Sequence, residues 1–294
     1  MKLALSLLSL ALSTGFAMSA ANAEELTGTL KKIKDNGAIV LAYRDTAIPF
    51  SYVGIGQKPM GYSWDIALAI AEEVKKELGM PDLQIRSNLV TAQTRIPLLQ
   101  NGTVDLECGA TTNNSERRMQ VDFSTDIFAV GIRLLTRKSS GVIDYPDLAG
   151  KNVVTAAGST SERLIKALNA DKDMRMNVIS AKDIGEAFIM VESNRASALM
   201  IDDVLQAGLR TRAKQPDDWI ITGTPISFEN YGCMLRKDDP RFKRVVDRTI
   251  KELYSTKAIE PLYAKWFTSP IPPKSMNLNF PMNDALKVLY STNQ

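Results

Sequence analysis

From residue 38 onward, short apolar runs alternate with segments whose apolar positions recur every three or four residues. Ile39–Ala42 reads as a buried strand. Ser63–Leu78 carries Ile66, Ala69, Ile70 and Val74 on one helical face and ends at Gly79 and Pro81. Leu83–Leu89 alternates like a strand, Ala92–Gln100 predicts a short helix closed by Asn101-Gly102, and Val104–Glu107 a strand. Ile127–Thr136 is a long extended segment interrupted by Gly131.

A second series starts near Lys138. Asn152–Ala156 reads as a strand, and Gly158-Ser159-Thr160-Ser161-Glu162 opens a helix with the spacing of a capping box. Met176–Ser180 predicts a strand, Lys182–Glu192 a helix, Ala198–Ile201 a strand, and a further helix starts at Asp203. The chain then changes character: Tyr231–Leu235 is extended, and Pro240–Tyr254 and Ile259–Phe267 are helical. Pro270-Ile271-Pro272-Pro273 is expected to be irregular. Strands alternating with helices argue for an α/β architecture with mainly parallel sheets. Two such series and a return segment after residue 228 predict two lobes, with the chain crossing between them near 127–136 and 226–235. Ligands of such sheets bind beyond the carboxyl ends of the strands.

The first 23 of 294 residues do not fit this pattern. Lys2, the apolar stretch Leu3–Leu12 and Ala21-Asn22-Ala23 form a secretory signal with a cleavage site, so the mature chain is expected to start at Glu24 and to carry no membrane anchor. Composition is ordinary for a globular protein, at 45% hydrophobic and 23% charged residues. A formal charge of +3, with basic residues scattered, makes nucleic acid an unexpected partner. The absence of histidine excludes Ser-His-Asp and Cys-His nucleophiles and any His-ligated metal; no metal or cofactor is expected. Cys108 and Cys233 are too far apart for a CxxC motif. In an oxidising compartment the pair favours a disulfide, the alternative being two buried thiols.

Several segments are specific. Gly61-Tyr62-Ser63-Trp64-Asp65-Ile66 and Ile48-Pro49-Phe50-Ser51-Tyr52 resemble motifs of the periplasmic solute-binding proteins of polar-amino-acid ABC transporters. Arg95–Gly102, Glu107-Cys108-Gly109, Thr111-Thr112-Asn113-Asn114, Tyr231–Asp239 and Trp266-Phe267 with Pro270–Pro273 are similar to the glutamate/aspartate-binding group. The resemblance spans essentially the whole mature chain. It implies the two-lobed (type II) binding-protein fold, with one lobe of residues 24–130 and 232–294, a second of 131–231, and the ligand in the cleft. It also implies a monomer, an acidic amino acid as ligand and a membrane permease as partner.

An amino acid brings a carboxylate and an ammonium, each costly to bury unpaired. The resemblance assigns Arg117 to the α-carboxylate, with Thr112 and Thr160 as supporting donors. It assigns the α-ammonium to Asp202, and the backbone carbonyl of Ala110 adds an acceptor; the helix cap falls to Asp203. Arg44 and Arg95 are assigned to a side-chain carboxylate, since a guanidinium fork suits two carboxylate oxygens. Without the resemblance, each arginine reads as a solvated surface residue. Three arginines and one aspartate leave +2, which an acidic ligand offsets better than a neutral one. The chain departs from this group at Ala92 and Ala110, where serine is usual, and at Ile184, where histidine is usual. These changes remove hydrogen-bonding groups and make one wall more apolar, so another dicarboxylate or a bulkier acid is an alternative ligand. An enzyme on the same fold, such as a prephenate- or arogenate-type dehydratase with Glu107 as acid or base, and a ligand sensor are the competing functions.

Overall fold

A computed structural model describes residues 26–273 and 275–293. The signal segment lies outside the described residues. The first series runs α1 (Gly28–Asn36), β1 (Ala38–Tyr43), a small meander of β2 (Thr46–Ala47), β3 (Ser51–Val53) and β4 (Pro59–Met60), then α2 (Tyr62–Leu78), β5 (Gln84–Leu89), α3 (Arg95–Gln100), β6 (Leu106–Glu107), α4 (Ser115–Arg118) and β7 (Asp122–Arg137). The second runs β8 (Asn152–Ala156), α5 (Thr160–Asp171), β9 (Asn177–Ala181), α6 (Ile184–Glu192), β10 (Ala198–Asp202), α7 (Asp203–Arg212) and β11 (Trp219–Thr222). The return is β12 (Phe228–Leu235), followed by α8 (Pro240–Ser255), α9 (Ile259–Tyr263), the hairpin β13 (Pro270–Ile271) and β14 (Met276–Asn277), and α10 (Asp284–Asn293).

The result is a two-lobed α/β fold. In one lobe β5, β1 and β6 are parallel and β12 closes antiparallel on β6. In the other β9, β8 and β10 are parallel. The 16-residue β7 belongs to both. It pairs with β12 from Asp122 to Gly131, then with β10 from Ile132 and with β11 as far as Arg137. Each parallel strand delivers its carboxyl end toward the junction, which is where a cleft ligand would sit.

Local chemistry explains the departures from the sequence pattern. Helix α3 starts at Arg95 instead of Ala92, because Thr91 and Thr94 trade hydroxyl and backbone hydrogen bonds in a turn. Pro270–Ile271 is a two-residue strand, not irregular chain: it pairs with Met276–Asn277, a pairing that proline tolerates at an edge. The short elements α1, β2, β3, β4, β11 and α10 carry too few residues for a periodic signal.

Two features hold the junction. Phe50, Phe128, Tyr231 and Phe267 form a buried aromatic cluster, with Phe128 centroids 4.9 Å from Phe50 and 4.8 Å from Phe267. Cys108 and Cys233 form a disulfide across 125 residues of sequence; closing such a loop stabilises by up to about 5 kcal/mol in the chain-entropy model. The lobes also touch across the cleft. A Cβ on Gly208, inside α7, would stand 2.3 Å from the Ile48 carbonyl oxygen, and one on Gly158 would stand 2.9 Å from the Gln93 side chain. Glycine in mid-helix costs about 0.5–1 kcal/mol, and here it permits backbone contact between lobes.

Candidate binding site in the interlobe cleft

One small cavity is lined by Arg44, Ala92, Arg95, Ala110, Thr112, Arg117, Thr160, Ile184 and Asp202, together with Ala156, Ser159, Ile201 and Leu205. All seven residues assigned from sequence therefore meet at one place. The fold supplies them from strand ends and helix starts. Arg44 follows β1, Arg95 opens α3, Arg117 sits in α4, Thr160 opens α5, and Asp202 ends β10. Arg44, Arg95, Arg117 and Asp202 are all buried, so none is a solvated surface residue.

At one end stand Arg44 and Arg95. Arg95 Nη1 donates to the Ala110 carbonyl at 3.1 Å and to Thr111 Oγ1, and lies 3.8 Å from Glu107 Oε1. Thr111 in turn donates to Glu107 at 2.8 Å. Arg44 Nε and Nη2 and Arg95 Nε have no hydrogen-bond partner among the described residues. Burial first, and then the like charge of Arg95, push Arg44 down to about 10. An acceptor with several lone pairs is the natural complement to three buried guanidinium nitrogens, which carry four N–H groups between them.

At the other end Arg117 spans the lobes, donating to the Thr112 carbonyl at 3.0 Å and the Gly158 carbonyl at 3.3 Å. Burial and the charge of Arg95 push it down to about 10. The Asp202 side chain makes no cap bond to α7, and its Oδ1 has no partner among the described residues. Asp203 takes the nearby backbone instead, accepting from Val204 N at 2.8 Å and Gly131 N at 3.4 Å. Burial and the charge of Glu229 push Asp202 up to about 7. The Ala110 carbonyl, assigned to an ammonium, already accepts from Arg95 and keeps one lone pair.

Glu229 was not singled out from sequence. It lies buried on β12 and accepts from Thr160 Oγ1 at 2.8 Å and from Thr112 Oγ1. Its signal was present: strand alternation places 229 on the same buried face as Tyr231, while Phe228 is 71% exposed. With Glu107 and Glu229 included, three arginines face three carboxylates, so the count of +2 is corrected to zero.

Among the described residues no group of three or more Cys, Asp or Glu could hold a metal ion, and no helix is long and apolar enough to cross a membrane. The family profile of "Bacterial extracellular solute-binding proteins, family 3" matches residues 39–269. The chain belongs to this family. Family 3 relatives include the L-glutamate/L-aspartate-binding protein of Pseudomonas aeruginosa, 59% identical over 99% of this chain and 97% of the relative. The glutamate/aspartate import solute-binding protein of Escherichia coli K12 is 50% identical over 98% and 96%. Among solved structures, an ancestral arginine-binding protein bound to arginine superposes with a TM-score of 0.71 at 27% identity, covering 79% of this chain and 98% of that one. These relatives are binding proteins, not enzymes; Glu107, held by Thr111 beside Arg95, is not among the residues lining the cavity.

Proposed function

We propose that this chain is the soluble periplasmic binding component of an ABC importer for acidic amino acids, acting as a monomer and handing its ligand to a membrane permease. In this reading residues 1–23 are removed on export. The lobes are residues 24–130 with 232–294, and 131–231, and they close about hinges near 127–136 and 226–235. The change of β7 partner between Gly131 and Ile132 supports the first hinge. The observation that carries the reading is the set of three unpartnered guanidinium nitrogens on Arg44 and Arg95 in a buried cavity also lined by Asp202 and Arg117. A side-chain carboxylate satisfies the first set. An α-ammonium pairs with Asp202, and an α-carboxylate takes the remaining donors of Arg117. Thr160 adds a backbone N–H at the start of α5, where helix donors are unpaired. Names of relatives at 50–59% identity support glutamate and aspartate as ligands.

The test is a thermal-shift scan of refolded residues 24–294 against the common amino acids and small dicarboxylates. A ligand at 100 times its Kd adds about 2.7 kcal/mol, or roughly 5–10 °C at this size. A shift confined to glutamate and aspartate is expected. A shift only with a neutral or basic amino acid overturns the ligand.

A further inference from the structure

We infer that Glu229 is a positioning residue that makes the Asp202 end of the cleft selective for an ammonium, by taking the hydroxyl protons of Thr112 and Thr160 and leaving their lone pairs to the ligand. This rests on the proposed reading only in that the ligand is an α-amino acid.

The two threonines come from opposite lobes. Thr112 follows β6 and forms an isolated bridge with Tyr231 on β12, whereas Thr160 opens α5. Both hydroxyls donate to one atom, Oε2 of Glu229. A hydroxyl has one proton, and an ionised carboxylate only accepts. Once that proton is committed to Glu229, each hydroxyl can only accept from a ligand, so the donor role expected of Thr112 and Thr160 toward the α-carboxylate passes from their hydroxyls to backbone N–H groups. Both Thr112 and Thr160 line the cavity beside Asp202, while Glu229 is not among its lining residues, so Glu229 acts through them. Asp202 Oδ1, buried without a partner among the described residues, makes a further acceptor at the same end. An ammonium has three N–H groups and no acceptor, and it matches this set. A carboxylate in that position would face acceptors alone; a ligand carboxylate must instead use Arg117 and backbone N–H groups. The arrangement requires β12 to turn a glutamate inward and a phenylalanine outward, an inversion of the usual polarity that packing alone does not ask for. It also requires closure, because one oxygen reaches both hydroxyls only when the lobes meet.

The experiment measures Kd by calorimetric titration for glutamate and for glutarate, the same dicarboxylate without the ammonium, on wild-type protein and Glu229→Gln. The glutamine keeps the shape and gives both threonines a donor to accept from. Glutamate is expected to weaken at least tenfold and glutarate less than twofold, so their ratio falls about tenfold. Equal weakening of both ligands, or no weakening, overturns the inference, because a merely structural glutamate would not distinguish them. Thr160→Val, which deletes one acceptor, is expected to move the ratio in the same direction and decides the matter if Glu229→Gln does not fold. If wild-type protein binds a different amino acid, the acidic-ligand reading fails. The same comparison is then run with that amino acid and its deaminated counterpart. If it binds no α-amino acid, both readings fall.

Discussion

The two ends of the cavity are built on different principles. The Asp202 end draws Thr112, Arg117, Thr160 and Glu229 from several elements of both lobes, and these residues are tied to one another or to backbone carbonyls. The Arg44 end is less satisfied, with three buried guanidinium nitrogens lacking partners among the described residues, and Ala92, Ile184 and Leu205 make the cavity's lining partly apolar. An end whose hydrogen bonds link both lobes is completed as the lobes close, and in the proposed reading it takes the part that all α-amino acids share. An end with unmet donors is costly when empty, and discriminates by which side chain relieves that cost. The proposed reading therefore gives side-chain selectivity to the Arg44 end and ammonium recognition to the Asp202 end.

The sharpest way to break this division is Asp202→Asn. Removing one partner of a buried charge pair costs about 2–5 kcal/mol, so glutamate affinity should fall about 10²–10³-fold. A dicarboxylate without an ammonium should be spared. If calorimetry shows both falling together, the two ends are not separable. Next comes Arg44→Met, which should weaken glutamate by about 10–100-fold, the range for a lost charge-assisted hydrogen bond or two. It should also narrow the gap between glutamate and glutamine. The same change removes a desolvated cation with two unpartnered nitrogens, so the ligand-free protein should melt higher. A lower melting point would mean that Arg44 supports the fold instead of waiting for an acid.

Closure offers a control that ignores chemistry at either end. Gly208→Ala sets a methyl against the Ile48 carbonyl, at 2.3 Å before any relaxation. Overpacking of this kind costs about 1–3 kcal/mol, so all ligands should weaken by roughly tenfold alike. Small-angle scattering should show a larger radius with ligand present than in wild type. Uneven loss among ligands would place Gly208 in specificity.

The pH dependence isolates the Asp202 end. Its carboxyl is pushed up to about 7 by burial first, then by Glu229 and Asp203, with Tyr231 acting in the opposite direction. Between the ordinary carboxylate range and pH 7 the folded ligand-free protein thus holds a proton that the unfolded chain has released. Its stability should fall as pH rises through that window. An ammonium needs the carboxylate, so ligand must expel that proton, and affinity should fall by up to about tenfold per unit as pH drops below 7. Titrations in buffers of different ionisation heat read the released proton directly, and affinity that is flat from about pH 8 to about pH 5.5 would refute it.

The sequence made the Arg44 end and most of the Asp202 end legible, because motif segments fix backbone positions and α/β topology brings strand ends together. Arg95–Gly102 and Thr111–Asn114 carried that information. Glu229 stayed hidden for a physical reason. It lies in the crossing expected near 226–235, but only pairing with β7 from Phe228 onward fixes which of its side chains turn inward, and none of the motif segments similar to the family covers Glu229. The lobe contacts at Gly158 and Gly208 were equally hidden, since close approach depends on the relative placement of lobes and leaves no periodic mark.

The smallest expected effect bears on the apolar wall. Ala92 is nearly buried and Ile184 is buried, and both stand where the family resemblance expects side chains able to hydrogen-bond. Ala92→Ser restores one hydroxyl to the cavity lining. A single added hydrogen bond is worth about 0.5–1.5 kcal/mol, so glutamate should bind about threefold to tenfold more tightly and glutamine should change little. The gain is limited because the new oxygen can also accept from the unpartnered arginine N–H groups, which lowers the cost of the empty site and so removes part of what ligand would relieve. A clear loss of affinity would carry more information than the gain. It would mean that the apolar wall is itself part of the fit, and that the preferred ligand packs methylene groups where a hydroxyl would intrude.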